Sequence, residues 1–270
     1  MTALQILAAI AISSVNNLIG ESPQIKEILK LVEKVADKDS PILLEGEFGS
    51  GKQMVARTIH NTSRRRNSSF KVLHCSALPP ELLEQELFGG PSGGSTIFTR
   101  AQGGTVVVEE IHHLPLHIQS QLNAFLEGLS AKRLRGNLLA AEDVRFIATS
   151  SQPLENLLKE GRFREDLFYR ISVIPIQVPP LRQRREDLPA LCEALLARIA
   201  HETGTPVPAA SPSLVERLQA LPADPPPVYD AVYPVAELPA GGLLWNAEDT
   251  TPYECDGLTA YRQRPLAVAL

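Results

Sequence analysis

Five short apolar runs limit most what this chain can fold into. They are "PILLEG" (41–46), "FKVLHCSAL" (70–78), "GGTVVVEEI" (103–111), "DVRFIATSS" (143–151) and "VIPIQVPPL" (173–181). They are runs of apolar residues rather than the polar–apolar alternation of a strand wetted on one face. Segments of helical period separate them: "QIKEILKLVEKVA" (24–36), "KQMVARTIHNTS" (52–63), "PPELLEQELFG" (79–89), "PLHIQSQLNAFLEGL" (115–129) and "ENLLKEGRFREDLFYRI" (155–171). Strands buried on both faces and alternating with helices predict an α/β fold: a parallel five-stranded sheet flanked by helices.

After Leu181 the pattern turns wholly helical, with "EDLPALCEALLARIA" (186–200) and "SLVERLQAL" (213–221). This predicts a small helical subdomain over 182–221. From Pro222 onward the chain carries eight prolines and no clear period, so 222–270 reads as an irregular, partly disordered tail. The net charge of −5 resides there: seven acids face two bases, and the rest of the chain is neutral. Residues 1–17 read as a linker or packing helix. Their apolar run lacks a basic start and is too short to span a bilayer, and no other stretch is long enough. Three scattered cysteines form no disulfide or metal pattern, which fits a reducing cytoplasm. The basic cluster "SRRRNSS" (63–69) reads as a solvated loop, with a phosphate contact as the lesser alternative, and no basic tail or arm argues for nucleic acid.

Chemistry concentrates where the first apolar run ends. Gly46, Glu47, Phe48, Gly49, Ser50, Gly51 and Lys52 follow a buried strand and open a helix, in the order G-x-x-x-x-G-K. Glycines let consecutive backbone N–H groups wrap a phosphate, the helix N-terminus favours the anion, and a lysine reaches the β- and γ-phosphates. Gln53 stands where such loops usually place a magnesium-holding hydroxyl. The third strand ends in Glu109 and Glu110, the acids such a site needs for a metal and for the attacking water. Arg162, Arg164 and Arg170 share one segment, and arginines can stabilise charge on a γ-phosphate in a neighbouring subunit.

Taken together, "LIGESPQIKEIL", "LLEGEFGSGKQMVARTIH", "CSALPPELLEQELFG", "GGTVVVEEIHHLP", "DVRFIATS" and "EGRFREDLFYRISVIPIQVPPLRQRREDLP" resemble the AAA+ domain of bacterial enhancer-binding proteins, the sigma-54-dependent activators. The resemblance runs from about Leu18 to Leu221. It implies a P-loop AAA+ ATPase fold over 18–181, with a small, incomplete helical lid over 182–221. It further implies ATP and Mg2+ as cofactors, and a homo-oligomer of six or seven copies, or a mixed oligomer with related activators, that acts on RNA polymerase through a sigma factor. By resemblance Lys52 binds phosphate, Glu109 is the metal-side acid, Glu110 is the catalytic acid, and Arg164 and Arg170 are the trans-acting arginines. Gln53 falls where the family commonly has Glu, so the lost hydroxyl is a family trait.

The departures carry information too. Glu109 replaces the usual Asp, His74 an Asn that holds the catalytic Glu in an inactive pose, and Ser151 the sensor Asn. "GPSGGSTIFTRAQ" follows "ELFG" without the family's GAFTGA loop. "LPADPPPVYD" replaces the helix that carries a second sensor Arg, and its prolines cannot continue a helix. No helix-turn-helix follows and no receiver domain precedes residue 18, so the chain reads as the central domain alone. These features lead to the expectation of retained nucleotide binding, weakened hydrolysis and no usual sigma-54 contact. The alternative is a non-enzymatic regulator acting through protein contacts.

Overall fold

All five apolar runs enter one sheet. The computed structural model describes residues 18–90, 94–134, 143–203, 243–245 and 252–254. Strands β1 (Ile42–Glu45), β2 (Phe70–His74), β3 (Thr105–Glu109), β4 (Arg145–Ser150) and β5 (Ile174–Gln177) are all parallel, in the order β2-β3-β4-β1-β5. Parallel neighbours need helical crossovers, and the helices cover both faces.

The unbroken apolar runs follow from that double cover. Successive strand residues point to opposite faces. Leu43, Val106, Val108, Phe146 and Ala148 join one core with Leu83 and Leu87 of α3 (Pro80–Phe88), Phe98 of α4 (Ile97–Arg100), and Ile118 and Leu122 of α5 (Leu116–Leu134). Ile42, Leu44, Val107, Ile147 and Ile176 join the other, with Ile25, Ile28 and Val32 of α1 (Pro23–Val35) and Val55 and Ile59 of α2 (Lys52–Thr62). Helix α1 starts where the sequence favours it. Ser22 accepts the Ile25 N–H, and Pro23, which has no N–H to leave orphaned, opens the first turn.

The 155–171 segment departs from expectation. It is two helices, α6 (Leu154–Lys159) and α7 (Glu165–Ile171). Gly161 takes φ +70°, a left-handed stop, and the N–H groups of Arg162 and Phe163 both return to the Leu157 carbonyl. Phe163, buried between the two helices, supplies the apolar reason for the break. After β5, helix α8 (Leu188–Thr203) begins as expected near 186. The helices expected over 1–17 and 213–221 lie outside the described residues. Residues 211–270 form a separate unit. In it, β6 (Leu243–Trp245) pairs antiparallel with β7 (Pro252–Glu254), a short ladder that the prolines and the missing period concealed. No helix among the described residues is long and apolar enough to cross a membrane.

One buried charge ties helix to sheet. Arg145, 1% exposed at the start of β4, donates to the Ala36 carbonyl and, at 2.7 Å, to that of Val35, which satisfies the C-terminal end of α1. Burial pushes its pKa down to about 10. Arg145→Met would orphan the Ala36 carbonyl, leave that of Val35 with the Lys38 N–H, and remove a buried charge. The expected net loss of stability is about 2 kcal/mol, read by urea unfolding; an unchanged midpoint would contradict this role.

Candidate functional site

The sheet order sets the site. Connections leaving β1, β3 and β4 all emerge at the carboxyl edge, and β1 lies between β4 and β5, where the crossovers change direction. Ligands of open α/β sheets bind at such a switch point. Here it gathers the loop after β1, the acids ending β3 and Ser151 after β4.

Sterics shape the loop. A Cβ on Gly46 would lie 2.4 Å from the Val178 carbonyl oxygen, so only glycine allows β1 to leave the sheet beside the strand-end of β5. Gly51, the N-cap of α2, takes φ +92°. Its neighbour Ser50 gives its carbonyl to Arg184 Nη2 at 2.6 Å. That bond holds the 50–51 peptide with its oxygen turned toward Arg184. Arg184 is itself buried and also donates to the Pro179 carbonyl at 3.2 Å. Beyond it, fully buried Asp187 accepts the N–H groups of Glu21 and Ser22 at 2.6 and 2.7 Å and the Ser22 hydroxyl at 2.7 Å. The segment "RQRRED" thus links the loop to the start of α1. Glu47 is paired with Arg182 at 2.5 Å, whose hydrogen bond holds that carboxyl below its usual range. Phe48 stands 77% exposed at the loop tip, and Gln53 is exposed on the first turn of α2.

Lys52 is buried at the centre. Its Nζ donates to the carbonyls of Gly46 at 2.7 Å and Glu47 at 3.0 Å and lies 3.4 Å from Glu110 Oε1. Burial lowers its pKa, and Glu110 partly restores it.

The two acids sit in different environments. Glu110 is the one non-glycine residue with positive φ among the described residues, at φ 54° and ψ 51°. Left-handed backbone costs such a residue about 1 kcal/mol, and strain of this kind clusters at functional sites. Its N–H donates to Thr149 Oγ1 at 3.2 Å, and its Oε2 accepts the Ser151 N–H at 2.9 Å. Burial pushes the carboxyl up. The Ser151 hydrogen bonds and the charge of Lys52 outweigh that, and the net shift is downward. Glu109 shifts upward, chiefly by burial, although His74 draws it back. Its Oε2 is 2.7 Å from His74 Nδ1. His74 stands where the resemblance has an Asn that holds the catalytic acid; in the structure its imidazole meets Glu109, because β2 and β3 pair His74 with Glu109 in register. Glu109 Oε1 and Ser50 Oγ are buried polar atoms without a hydrogen-bond partner. An orphaned hydroxyl in the glycine loop fits a phosphate, and an orphaned carboxylate oxygen at the end of β3 fits a cation.

Arg164 and Arg170 lie elsewhere. Arg164 caps α7 and pairs with Asp166 at 2.7 Å; Arg170 donates to Asn123 Oδ1 at 2.7 Å and lies 3.6 Å from Glu127. Within one chain neither is hydrogen-bonded or ion-paired to a residue of the loop. A cleft of about 640 Å3 opens beside the loop, lined by Ile28, Leu31, Glu45, Ser151, Ile176 and Val178 among others.

The sigma-54 interaction domain family model matches residues 18–177. The chain belongs to this family. It is 37% identical to the response regulator protein PilR of Pseudomonas aeruginosa over 212 residues, covering 76% of this chain and 48% of PilR. It is 38% identical to the DNA-binding transcriptional regulator NtrC of Azospirillum brasilense over 210 residues, covering 75% of this chain and 44% of NtrC. The crystal structure of NtrX from Brucella abortus in complex with ADP superposes with a TM-score of 0.67 at 33% identity, covering 76% of this chain and 47% of NtrX. The NtrX complex with ATP gives 0.65 at 33% identity, covering 75% and 48%. The chain spans about half the length of the curated relatives it matches. Its sheet is the P-loop AAA+ sheet of the sigma-54-dependent regulators.

Sequence reasoning missed several residues of the site. Arg184 and Asp187 lay inside a quoted motif without a role, and Thr149 gave no signal. Nor did His112, whose side chain is 3% exposed, with Nδ1 3.1 Å from Ser150 Oγ and 3.4 Å from Glu110 Oε2. Burial, aided by the neighbouring His113, pushes its pKa down to about 4. A histidine held neutral in the fold loses its stabilising contribution as pH falls, because the unfolded chain takes up the proton first, near pH 6.5. Between pH 7 and pH 5 the protein should lose about 2 kcal/mol of stability through this group. His112→Asn should lose correspondingly less in urea unfolding at the two pH values. Equal losses would contradict the assignment.

Proposed function

We propose that this chain binds ATP and ADP in the loop 46–53, with Lys52 on the β- and γ-phosphates. In this reading it serves a sigma-54-type transcription regulator as a nucleotide-dependent module whose hydrolysis is slow. The observation that carries the reading is buried Lys52, held between two loop carbonyls and Glu110. The ADP and ATP complexes of NtrX, a relative with the same fold, support it.

The chain's own groups divide the work. Loop N–H groups and Lys52 hold phosphate oxygens, and ionised Glu110 accepts the proton of an attacking water. A Mg2+ ion, when bound, supplies Lewis-acid screening of phosphate charge, and Glu109, with its orphaned Oε1, would hold it. Arg164 and Arg170, engaged away from the loop in their own chain, are offered to the site of a neighbouring copy in a ring of six or seven or in a mixed oligomer. Three features support slow turnover. Glu109 is one methylene longer than the Asp usual in the family, Ser151 gives Glu110 a backbone N–H in place of a long sensor amide, and Arg164 is already paired with Asp166. Residues 89–96 alone connect α3 to α4, which leaves no room for the family's GAFTGA loop. In this reading the chain makes no usual sigma-54 contact.

Direct titration with labelled ADP and a turnover assay test this. Wild type should bind and turn over below about 1 s−1, under the usual enzyme range. Lys52→Ala should abolish binding, whereas Glu110→Gln should bind and abolish turnover. Fast turnover would sink the claim of weakened hydrolysis. Binding with no turnover at all would leave the non-enzymatic regulator, and no binding would refute the reading. In a reconstituted sigma-54 open-complex assay the chain should give no activation; activation would refute the absence of that contact.

A further inference from the structure

The pairing of β2 and β3 sets an imidazole and a carboxylate side by side at the cation end of the site. His74 and Glu109 are register partners, and Nδ1 and Oε2 are 2.7 Å apart. The 2.7 Å contact is that of a charge-assisted hydrogen bond, and two neighbouring ligands of an octahedral ion with bonds of ~2.1 Å lie only about 3 Å apart, so a few tenths of an ångström turn the hydrogen-bonded pair into a ligand pair once Nδ1 gives up its proton. Half of the His74 side chain is exposed, whereas Glu109 is 14% exposed and its Oε1 is buried without a partner. The loop itself brings no hydroxyl at position 53, where Gln53 points to solvent. No three-residue metal cluster occurs among the described residues. The protein can therefore supply two ligands, and phosphate oxygens and water must supply the rest.

Ligand chemistry decides which ion suits such a pair. Carboxylate and phosphate oxygens favour Mg2+ and Mn2+ alike. Adding an imidazole shifts preference toward ions that accept nitrogen, in the order Mg2+ below Mn2+ below Co2+. We infer that His74 and Glu109 together coordinate the cation of a bound nucleoside diphosphate or triphosphate, and that this site selects Mn2+ or Co2+ over Mg2+. The inference rests on the nucleotide reading above and adds to it a nitrogen ligand and a metal preference.

The test uses the full chain with Mn2+ and ADP, read by electron paramagnetic resonance. Pulsed spectra of the wild-type complex should carry the 14N modulation of a directly bound imidazole, and His74→Asn should remove it. Mg2+ competition against bound Mn2+ should need about tenfold less Mg2+ in His74→Asn than in wild type. Binding of fluorescent ADP in chelator reports the phosphate loop separately and should be equal in both proteins, which also shows that the variant folds. Nucleotide binding without 14N modulation, modulation that persists in His74→Asn, or an unchanged Mg2+ to Mn2+ ratio would each overturn the inference. Failure of ADP to bind in chelator would overturn the nucleotide reading itself and this inference with it.

Discussion

A buried ammonium must be surrounded by acceptors, and the site is organised by how Lys52 meets that demand. Two loop carbonyls and the Glu110 carboxylate receive it. Those acceptors come from either side of β4: the loop follows β1, and Glu110 follows β3. The parallel register that aligns the carboxyl ends of the three strands is therefore what makes the lysine's environment possible. Removing a buried charge from one partner leaves the other uncompensated, at a cost of about 3–5 kcal/mol. That coupling makes the loop, the acids and the central strands a single unit.

The neighbouring acids show how environment separates two identical side chains. Glu110 receives Lys52 and the Ser151 N–H and is held ionised; Glu109 is buried with only His74 against it and is shifted the other way. Opposed shifts on adjacent carboxyls separate their chemistry: Glu110 is held in its anionic form, and Glu109 takes up a proton more readily than an ordinary carboxylate. The left-handed backbone of Glu110 is the local strain that turns its carboxylate from the strand direction toward the lysine.

Much of this was legible in the sequence, for reasons that are local. A glycine loop between a buried strand and a helix, acids ending an apolar run, and unbroken strands between amphipathic helices all express their chemistry within about ten residues. What was hidden depends on contacts between distant segments. Nothing near Arg184 states that it would grip the Ser50 carbonyl 134 residues earlier, or that Asp187 would cap the start of α1. Nor was it legible that His74 would meet Glu109, because that partner is chosen by the β2–β3 register. The break at Gly161 was visible as a glycine but not as a stop, since an isolated glycine is tolerated within helices. In the 222–270 stretch, composition spoke for irregular chain and masked a three-residue ladder.

The central claim is that the backbone amides of the loop hold the phosphates of a nucleotide. Hydrogen exchange of the segment 46–53, with and without ADP, tests it most directly. The account predicts that ADP slows exchange of the amides from Glu47 to Lys52, with little change on α7. Unchanged exchange in the loop under saturating ADP, or protection confined to segments away from it, would contradict the account.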